Sequence, residues 1–330
     1  MSTIANMKDT APGGPGRVRV RLAGSGGRAA AVWVALLLMI PLSRLFSASF
    51  PSSALIENLI TLGLFLTIIA LGQGLVVLTG GIDLSVAVSV SLAAFFTGYT
   101  ASSGIPTPIA VALGLAAAAL VGLINGLIVA FTTFPPFIVT LAVSSVFTAL
   151  LLGFSQGRPG QTAPKGLVGL FGPRLLGVPL STVMLLVVAA LGFWIQHRTS
   201  FGRRVYAVGG SLRAARIAGL PVRLTVAVVY VLAAAAYGLA GVLLMGYNSG
   251  SDLNLGASWL LPSIAAVVVG GSAIRGGSGN FLGTVGAALF LTLIGIDISA
   301  AGLSEGVKQV LYGSVLLIAI LLNRLGGARS

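Results

Sequence analysis

Apolar runs, each about as long as a bilayer is thick, dominate the chain from residue 29 to residue 323. A helix needs about 20 apolar residues to cross the hydrocarbon core of a membrane. We therefore expect an all-α membrane protein, a polytopic helical bundle of about ten transmembrane helices. The predicted spans are 29–48, 57–79, 84–102, 108–131, 137–155, 179–196, 223–246, 259–274, 280–298 and 305–323.

The N-terminal segment differs in composition from the rest. Residues 1–28 are polar and rich in glycine, proline and arginine, which predicts a disordered, basic cytoplasmic tail ahead of one membrane domain over residues 29–325. A basic stretch before an apolar run also occurs in secretory signals. The run continues past Pro41 to about Phe46 without a small-x-small cleavage site, which favours an uncleaved first span.

Composition excludes the soluble enzyme classes, because 56% of the residues are hydrophobic and only 8% are charged. There is no cysteine and one histidine, His197, which excludes thiolate chemistry and zinc sites built on histidine pairs. No Walker A loop is present, so if ATP drives this protein another polypeptide must hydrolyse it. We expect no catalytic residue, no metal site and no cofactor bound by this chain.

The net charge of +13 reflects topology rather than nucleic-acid binding, because the arginines sit in loops and in the N-terminal tail. With ten spans, 14 of the 19 basic residues fall on the same side of the membrane as both termini. Basic residues accumulate in the cytoplasm, so both termini are predicted there. The loop 156–178, with three basic residues on the other side, is the exception.

The loop 197–223 is predicted to contain a short helix with a capping signal at each end. Ser211 is a good N-cap, and Gly219 followed by Pro221 closes the helix. Leu212, Ala215 and Ala218 share one side and Arg213 and Arg216 flank it, a pattern that suits docking into a partner's groove. An ordinary positive-inside loop explains the arginines but not the paired caps. The predicted docking residues are Ser211, Leu212, Arg213, Ala214, Ala215, Arg216, Ala218 and Gly219.

Polar side chains within or beside the spans are few, and they predict a path for an uncharged solute. Asp83 follows a Gly80-Gly81 break; it either lines a cavity there or caps the next helix. Amides and hydroxyls suit a polyol, whereas an ion-coupled carrier usually needs buried carboxylates. Each polar residue also suits hydrogen bonding between helices. The predicted path residues are Gln73, Asp83, Ser85, Asn125, Thr140 and Ser263.

Two segments of the chain echo one another. Gly250-Ser251-Asp252-Leu253-Asn254 resembles Gly81-Ile82-Asp83-Leu84-Ser85, five predicted helices earlier and on the opposite membrane face. This spacing is expected of an inverted repeat that relates spans 2–5 to spans 7–10.

Four stretches of the sequence resemble the permease subunits of bacterial ABC importers for monosaccharides, the ribose-type family. They are residues 78–85, 136–141, 199–219 and 264–272 with Gly276-Gly277, and the likeness covers about residues 55–323. Members of that family often carry an acidic residue just before the stretch that matches Ile264. Leu260-Leu261-Pro262-Ser263 stand there in this chain, which weakens the expectation that the sugar is ribose.

The resemblance implies a set of partners. A second permease subunit, identical or not, would form a central sugar path together with this chain. The other partners are cytoplasmic ATPase subunits, which bind ATP and Mg, and a periplasmic sugar-binding protein. The resemblance places this assembly at the bacterial inner membrane. The segment matching 212–219 is the coupling helix that rests on the ATPase in that family. The alternatives are an ABC permease for a nucleoside, a polyol or a furanosyl signal molecule, or an ion-coupled secondary carrier. A passive channel would not need the elaborate loop.

Overall fold

The computed structural model describes residues 25–46, 52–158 and 160–327, and these residues form a helical bundle. The all-α membrane fold is confirmed, because each of the ten predicted spans coincides with a helix. The helices are α1 (Ser25–Leu42), α2 (Ser53–Leu78), α3 (Val86–Ser102), α4 (Thr107–Phe131), α5 (Pro136–Ser155), α6 (Lys165–Val168), α7 (Leu180–Arg198), α8 (Ser200–Gly210), α9 (Leu212–Ile217), α10 (Val222–Tyr247), α11 (Leu260–Val269), α12 (Phe281–Ala300) and α13 (Glu305–Gly327).

Several helix boundaries differ by a few residues from the predicted spans, and two of the differences concern the N-terminal tail and helix α11. Helix α1 begins at Ser25, so residues 25–28 of the predicted tail are helical, whereas residues 1–24 lie outside the described part of the chain. Helix α11 ends at Val269 instead of residue 274, because Gly270 and Gly271 follow it and Gly271 has a positive φ of 104°. A two-stranded hairpin, β1 (Arg174–Leu175) and β2 (Val178–Pro179), precedes α7.

Seven of the described helices are long and apolar enough to cross a membrane: α1, α2, α4, α5, α7, α10 and α12. Helix α3 and the helical segment Ala257–Val269, which contains α11, are apolar but shorter. Helices α2 and α10 lie at the centre of the bundle, where Phe65, Tyr230 and Tyr237 are fully buried. Helices α4, α5 and α7 are mostly exposed and carry large apolar side chains there, as expected of helices that face lipid.

Small residues on α4 allow it to pack closely against its neighbours. Gly114, Ala118, Gly122 and Gly126 are all buried. A Cβ atom added at Gly126 would lie 2.7 Å from the carbonyl oxygen of Ala227 on α10, and one added at Gly122 would overlap the backbone of Tyr230. This ridge therefore sets the separation between α4 and α10.

The helices α2–α5 and α10–α13 form an internal repeat with an offset of 169 residues. Helices α2 and α10 both contain 26 residues, and their first and last residues are related by this offset. The same offset takes the last residue of α4, Phe131, to the last residue of α12, Ala300. It also takes the first residue of α5, Pro136, to the first residue of α13, Glu305. The two shorter helices, α3 and α11, are equivalent in this alignment.

The repeat is inverted, because its first helices run antiparallel. The Tyr247 hydroxyl, at the end of α10, lies 2.8 Å from the Asn58 side chain near the start of α2. Further along, the Tyr237 hydroxyl lies 2.9 Å from the side chain of Gln73, near the end of α2. The equivalent residues Ala87 and Gly256 touch each other, since a Cβ added at Gly256 would overlap the backbone of Ala87. The pseudo-two-fold axis therefore passes between them.

The turns that follow α2 and α10 have the same geometry. Gly80 and Ser249 occupy equivalent positions with φ of 84° and 60°. After each, the next residue donates its N–H to a carbonyl five residues back: Gly81 to Val76 at 3.1 Å, and Gly250 to Met245 at 2.9 Å. The Asp83 carboxylate accepts the Ser85 N–H at 2.8 Å, and the Asp252 carboxylate accepts the Asn254 N–H at 2.6 Å. The sequence echo thus corresponds to a repeated structure.

The two ends of the bundle differ in charge. One end, which we call the basic face, carries α8, α9, the end of α2 and the start of α10, together with Arg198, Arg203, Arg204, Arg213, Arg216, Arg223 and Arg275. The loop 156–178 lies at the opposite face, where the Gln161 and Ser251 backbones hydrogen-bond at 2.8 Å. The first residues of α1 lie at the basic face, since the Trp33 indole donates to the Leu282 carbonyl at 3.1 Å near the start of α12.

Candidate functional site

Residues 211–219, which we call the docking segment, form a helix that is capped at both ends. The Ser211 hydroxyl accepts the Ala214 N–H at 3.2 Å, which confirms the predicted N-cap. At the other end Gly219 has a φ of 72°, and the Leu220 N–H donates to the Ala215 carbonyl at 3.0 Å. This is the hydrogen bond from C″ to C3 of a Schellman ending. Local hydrogen bonds therefore define the short helix α9 without a long helical run.

The buried side of α9 is narrower than the sequence pattern predicts. Ala215 is 3% exposed, whereas its predicted neighbours on that side, Leu212 and Ala218, are exposed. Leu212 and Ile217 present apolar side chains that are 47% and 80% exposed. Arg213 and Arg216 are exposed, and neither has a carboxylate partner within the part of the chain that the structure describes. The docking segment thus offers apolar and positively charged groups to its surroundings.

Helix α8 fixes the docking segment to the membrane helices. Thr199 caps α8 by accepting the Gly202 N–H at 3.0 Å. The Tyr206 hydroxyl donates to the Gly279 carbonyl at 3.1 Å, and burial raises the pKa of this phenol above its ordinary value. The tyrosine therefore stays neutral and acts as a fixed link between α8 and the loop before α12.

Four glycine residues meet where the last turn of α8 contacts two loops, in a cluster that we call the glycine junction: Gly80, Gly209, Gly276 and Gly277. The Gly277 N–H donates to the Leu78 carbonyl at 3.0 Å. A Cβ atom added at Gly209 would overlap the Leu78 carbonyl oxygen and lie 2.6 Å from the Gly277 nitrogen. The end of α2, the end of α8 and the loop before α12 are therefore in direct backbone contact, next to the docking segment.

A buried polar cluster lies where the chain passes from α2 to α3. Asp83, Ser85 and Asn125 are all fully buried. The Asp83 Oδ1 atom accepts the Ser85 hydroxyl at 2.6 Å, and the Asn125 amide donates to that hydroxyl at 2.9 Å. Because Asp83 bonds the backbone of Ser85, the residue immediately before α3, its role in this structure resembles that of a helix cap. The side chain also has an oxygen, Oδ2, without a partner among the described residues.

Two further predicted path residues hold the same segment by its backbone. The Thr140 hydroxyl on α5 accepts the Leu84 N–H at 3.0 Å. When the Gln73 amide is oriented so that both its nitrogen and its oxygen have partners, it donates to the Asp83 carbonyl at 3.2 Å and accepts the Asp83 N–H at 3.3 Å. Ser263 is separate from this cluster and bonds its own helix, at the Leu260 carbonyl. The structure thus brings together five of the six predicted residues, and all six are enclosed by protein.

The described surface carries a cleft that the sequence analysis did not identify; its lining is mainly apolar but includes several polar side chains, and we call it the polar cleft. It has a volume of about 540 Å³ and opens at the opposite face, between the start of α2, the segment before α11, the end of α12 and the start of α13. Its polar or aromatic lining residues are Asn58, Ser258, Trp259, Thr292, Ser299, Glu305, Lys308 and Tyr312. Lys308 and Glu305 form an ion pair at 2.9 Å. The described residues contain no group of histidine and acidic side chains that could hold a metal ion.

Comparison with known proteins relates this arrangement to a family. Residues 55–320 match the family described as "Branched-chain amino acid transport system / permease component". The chain belongs to this permease family. Its relatives include the autoinducer 2 import system permease protein LsrD of Yersinia enterocolitica, 35% identical, and that of Yersinia pseudotuberculosis, 34% identical; each alignment spans 259 residues, 77% of this chain and 78% of the relative.

The family membership confirms the resemblance to ABC importer permeases that the four sequence stretches indicated. This permease is a multi-pass membrane protein and a subunit of an import system, which favours the importer over an ion-coupled carrier. All four stretches lie at the structural features described above. Residues 78–85 form the turn after α2, and residues 136–141 contain Thr140, which bonds that turn. Residues 199–219 contain α8 and the docking segment, and Gly276-Gly277 belong to the glycine junction.

Proposed function

We propose that this permease passes a small, uncharged, polyhydroxylated solute of monosaccharide size across the bacterial inner membrane, driven by an ATPase that binds the docking segment. The observation that carries this proposal is the exposed, doubly capped α9 at the basic face, where Leu212 and Ile217 face outward beside two arginines that have no carboxylate partner among the described residues. A helix of six residues that buries only Ala215 contributes little to the core, so we assign it to a partner.

The orientation of the permease follows from its charge. Seven arginines of the described chain lie at the basic face, and basic residues accumulate in the cytoplasm. We therefore assign the basic face, the docking segment and both termini to the cytoplasm. The ATPase subunits, with their ATP and Mg, would then bind at the basic face. A periplasmic solute-binding protein would deliver the solute at the opposite face, and a second permease subunit would complete the path.

The glycine junction connects the docking segment to the helix break after α2, so a movement of one can be transmitted to the other. A displacement of α9 is passed to α8, and α8 touches the end of α2 through Gly209. The end of α2 leads into residues 79–85, which Gln73 and Thr140 hold by hydrogen bonds. ATP binding by the partner would favour one arrangement of these elements over another, which is how an external ligand shifts a conformational equilibrium.

The solute class rests on the chemistry of this chain and on its relatives. The side chains that line the polar cleft include an amide and several hydroxyls, which bind hydroxyl groups without requiring a charge. The relatives from Yersinia are named for the import of autoinducer 2, so autoinducer 2 and D-ribose are the first solutes to test. Leucine is the contrasting probe, because the family description names branched-chain amino acids.

The docking assignment is tested by reversing two charges. We expect Arg213→Glu with Arg216→Glu to reduce association with the ATPase subunit and solute uptake by at least about tenfold, since two favourable contacts become repulsive. Both side chains are exposed, so the bundle itself should remain folded. Co-purification of the ATPase with the permease and uptake by vesicles that contain the complete importer measure the two effects.

A matched control reverses two charges at the opposite face, at Arg158 and Lys165, both exposed. This variant should bind the ATPase as strongly as the wild-type permease does. Normal ATPase association and normal uptake in the Arg213→Glu, Arg216→Glu variant would show that the docking segment has been assigned wrongly.

A further inference from the structure

Comparison of equivalent positions in the two halves of the internal repeat distinguishes residues that the fold requires from residues that have another role. A second cleft lies at the basic face, where Arg216 and Arg223 line it together with apolar residues. Four of its apolar lining residues, Leu127, Phe131, Leu224 and Ala227, are equivalent by the offset of 169 residues to Ile296, Ala300, Leu55 and Asn58, which line the polar cleft. Part of the repeated helical framework therefore borders a cleft at each face.

Most polar lining residues of the polar cleft are matched by apolar residues in the other half of the repeat; Ser258, matched by Ser89, is an exception. Asn58 is matched by Ala227, Thr292 by Leu123, Ser299 by Ala130 and Tyr312 by Val143. Trp259 is matched by Val90, and the ion-paired Glu305 and Lys308 are matched by Pro136 and Val139. Since apolar residues satisfy the fold at these positions in the first repeat, packing alone does not explain the polar residues in the second.

Two polar groups in the polar cleft have no partner within the described part of the chain, whereas the Ser299 hydroxyl donates to the Gly295 carbonyl at 3.0 Å and keeps its capacity to accept a bond. The Thr292 side chain is 8% exposed, and its hydroxyl makes no hydrogen bond there, although a threonine inside a helix commonly bonds the preceding turn. The Trp259 indole N–H also lacks an acceptor, whereas that of Trp33 has one. An unsatisfied group next to an open space of about 540 Å³ is available to a ligand.

The polar cleft reaches the break between α10 and α11. Gly256 touches its equivalent Ala87, so it lies on the pseudo-two-fold axis, which runs through the middle of the membrane in an inverted repeat. Trp259 and Pro262 follow it at the start of the short helix α11 and line the cleft. Shortened helices at equivalent positions of two inverted halves are where transporters place their substrate sites.

We propose that the polar cleft binds the transported solute, and that Thr292, Trp259 and Ser299 contact hydroxyl groups of an uncharged, sugar-sized ligand. The inference rests on the proposed function, because it locates the solute of that importer. Trp259 would pack its ring face on the apolar side of the ligand, and the hydroxyls would bond its polar rim, as in other small-molecule sites. The buried cluster around Asp83 then holds the helix break and does not contact the solute.

The test removes hydrogen-bonding groups and keeps the shape of the cleft. Thr292→Val replaces a hydroxyl with a methyl group, and Trp259→Phe removes the indole N–H and keeps an aromatic ring. Each lost bond should weaken solute binding several-fold, so the double variant should import D-ribose or autoinducer 2 at a rate at least about tenfold lower than the wild type. Uptake is measured in vesicles that contain the complete importer, and ATPase association is measured in parallel and should be unchanged.

Two matched variants guard against a general loss of folding. Ser314→Ala on α13 removes a hydroxyl outside the cleft, one that bonds its own helix at the Val310 carbonyl, and should leave uptake unchanged. Thr292→Ser keeps the hydroxyl and should retain most of the uptake. If the double variant is unstable on size-exclusion chromatography, Ser299→Ala replaces it, because alanine already stands at the equivalent position 130.

The outcomes separate this inference from the proposed function. If the wild type imports a probe and the folded cleft variants import it equally well, the polar cleft is not the solute site and the importer assignment stands. If the wild type imports neither D-ribose nor autoinducer 2, the solute class is wrong and the inference fails with it. A selective loss of uptake in the cleft variants, with normal ATPase association, supports both.

Discussion

Asp83 and Asp252 show how one residue type acquires two roles in a repeated turn. Each carboxylate accepts a backbone N–H two residues further along the chain, yet Asp83 is fully buried and Asp252 is exposed. In the first repeat the carboxylate also accepts the Ser85 hydroxyl, which in turn accepts the Asn125 amide. The buried turn is therefore part of a network, and the exposed turn is a local structure with water as an alternative partner.

This difference predicts unequal effects of alanine at the two positions. We expect Asp83→Ala to lower the free energy of unfolding by about 1–3 kcal/mol, because buried groups of Ser85 lose their acceptor. Asp83→Asn keeps an acceptor oxygen and should recover most of that loss. Thermal unfolding of the purified permease in detergent measures both effects.

Asp252→Ala is the matched control and should have a clearly smaller effect, since the Asn254 N–H can bond water. Equal destabilisation by the two alanine variants would contradict the structural role assigned to the Asp83 network. Loss of uptake in Asp83→Asn without loss of stability would instead favour contact between Asp83 and the solute.

Among the elements, α8 and α9 depend on contacts that the sequence pattern does not contain. The caps of α9 were predictable, because a serine and a glycine each act on the neighbouring backbone. Its buried side was not, since periodicity groups Leu212, Ala215 and Ala218 but the surrounding helices cover only Ala215. Likewise, the glycine pairs indicate where elements end, and only packing brings Gly209, in the last turn of α8, together with Gly80 and Gly276-Gly277.

Contacts at the glycine junction predict that a methyl group added at Gly209 impairs solute uptake more than it impairs ATPase binding. We expect Gly209→Ala to lower the unfolding temperature and reduce uptake, because its Cβ atom would push α8 away from the end of α2 and from the loop before α12. The docking segment itself is unchanged, so ATPase association should fall much less than uptake. Co-purification and vesicle uptake, measured on the same preparation, test this difference.

Gly210→Ala provides the control at the adjacent position, where an added Cβ meets no atom within 4 Å. It should behave like the wild type in both assays. If Gly209→Ala and Gly210→Ala have the same uptake, backbone contact at the junction does not matter for transport.

At the scale of the whole molecule, the inverted repeat explains why the described chain has two shortened helices. Helices α3 and α11 are equivalent, and each follows an aspartate turn at the end of one of the two central helices. The first described residues lie at the basic face, and α13 packs back along α11 and α12 from the opposite face. Both ends of the described chain therefore point to the same side of the membrane.

The absence of cysteine permits a direct test of this orientation. Leu176→Cys places a thiol in the hairpin at the opposite face, where the side chain is 97% exposed, and Ile217→Cys places one on the docking segment, where it is 80% exposed. In intact spheroplasts a membrane-impermeant maleimide should label the first variant, and the second only after permeabilisation. The reverse labelling pattern would place the basic face outside.

The sequence alone determined the membrane class, the ten helices, the capped docking segment and the family, because these depend on the length of apolar runs and on neighbouring residues. The tertiary structure decided which residues meet. Gln73, Asp83, Asn125 and Thr140 lie on different segments and become one cluster only through packing. The polar cleft was decided in the same way, because Asn58, Trp259 and Thr292 are far apart in the chain and share no motif. Their proximity follows from the inverted packing of α2, α11 and α12, which no local pattern contains.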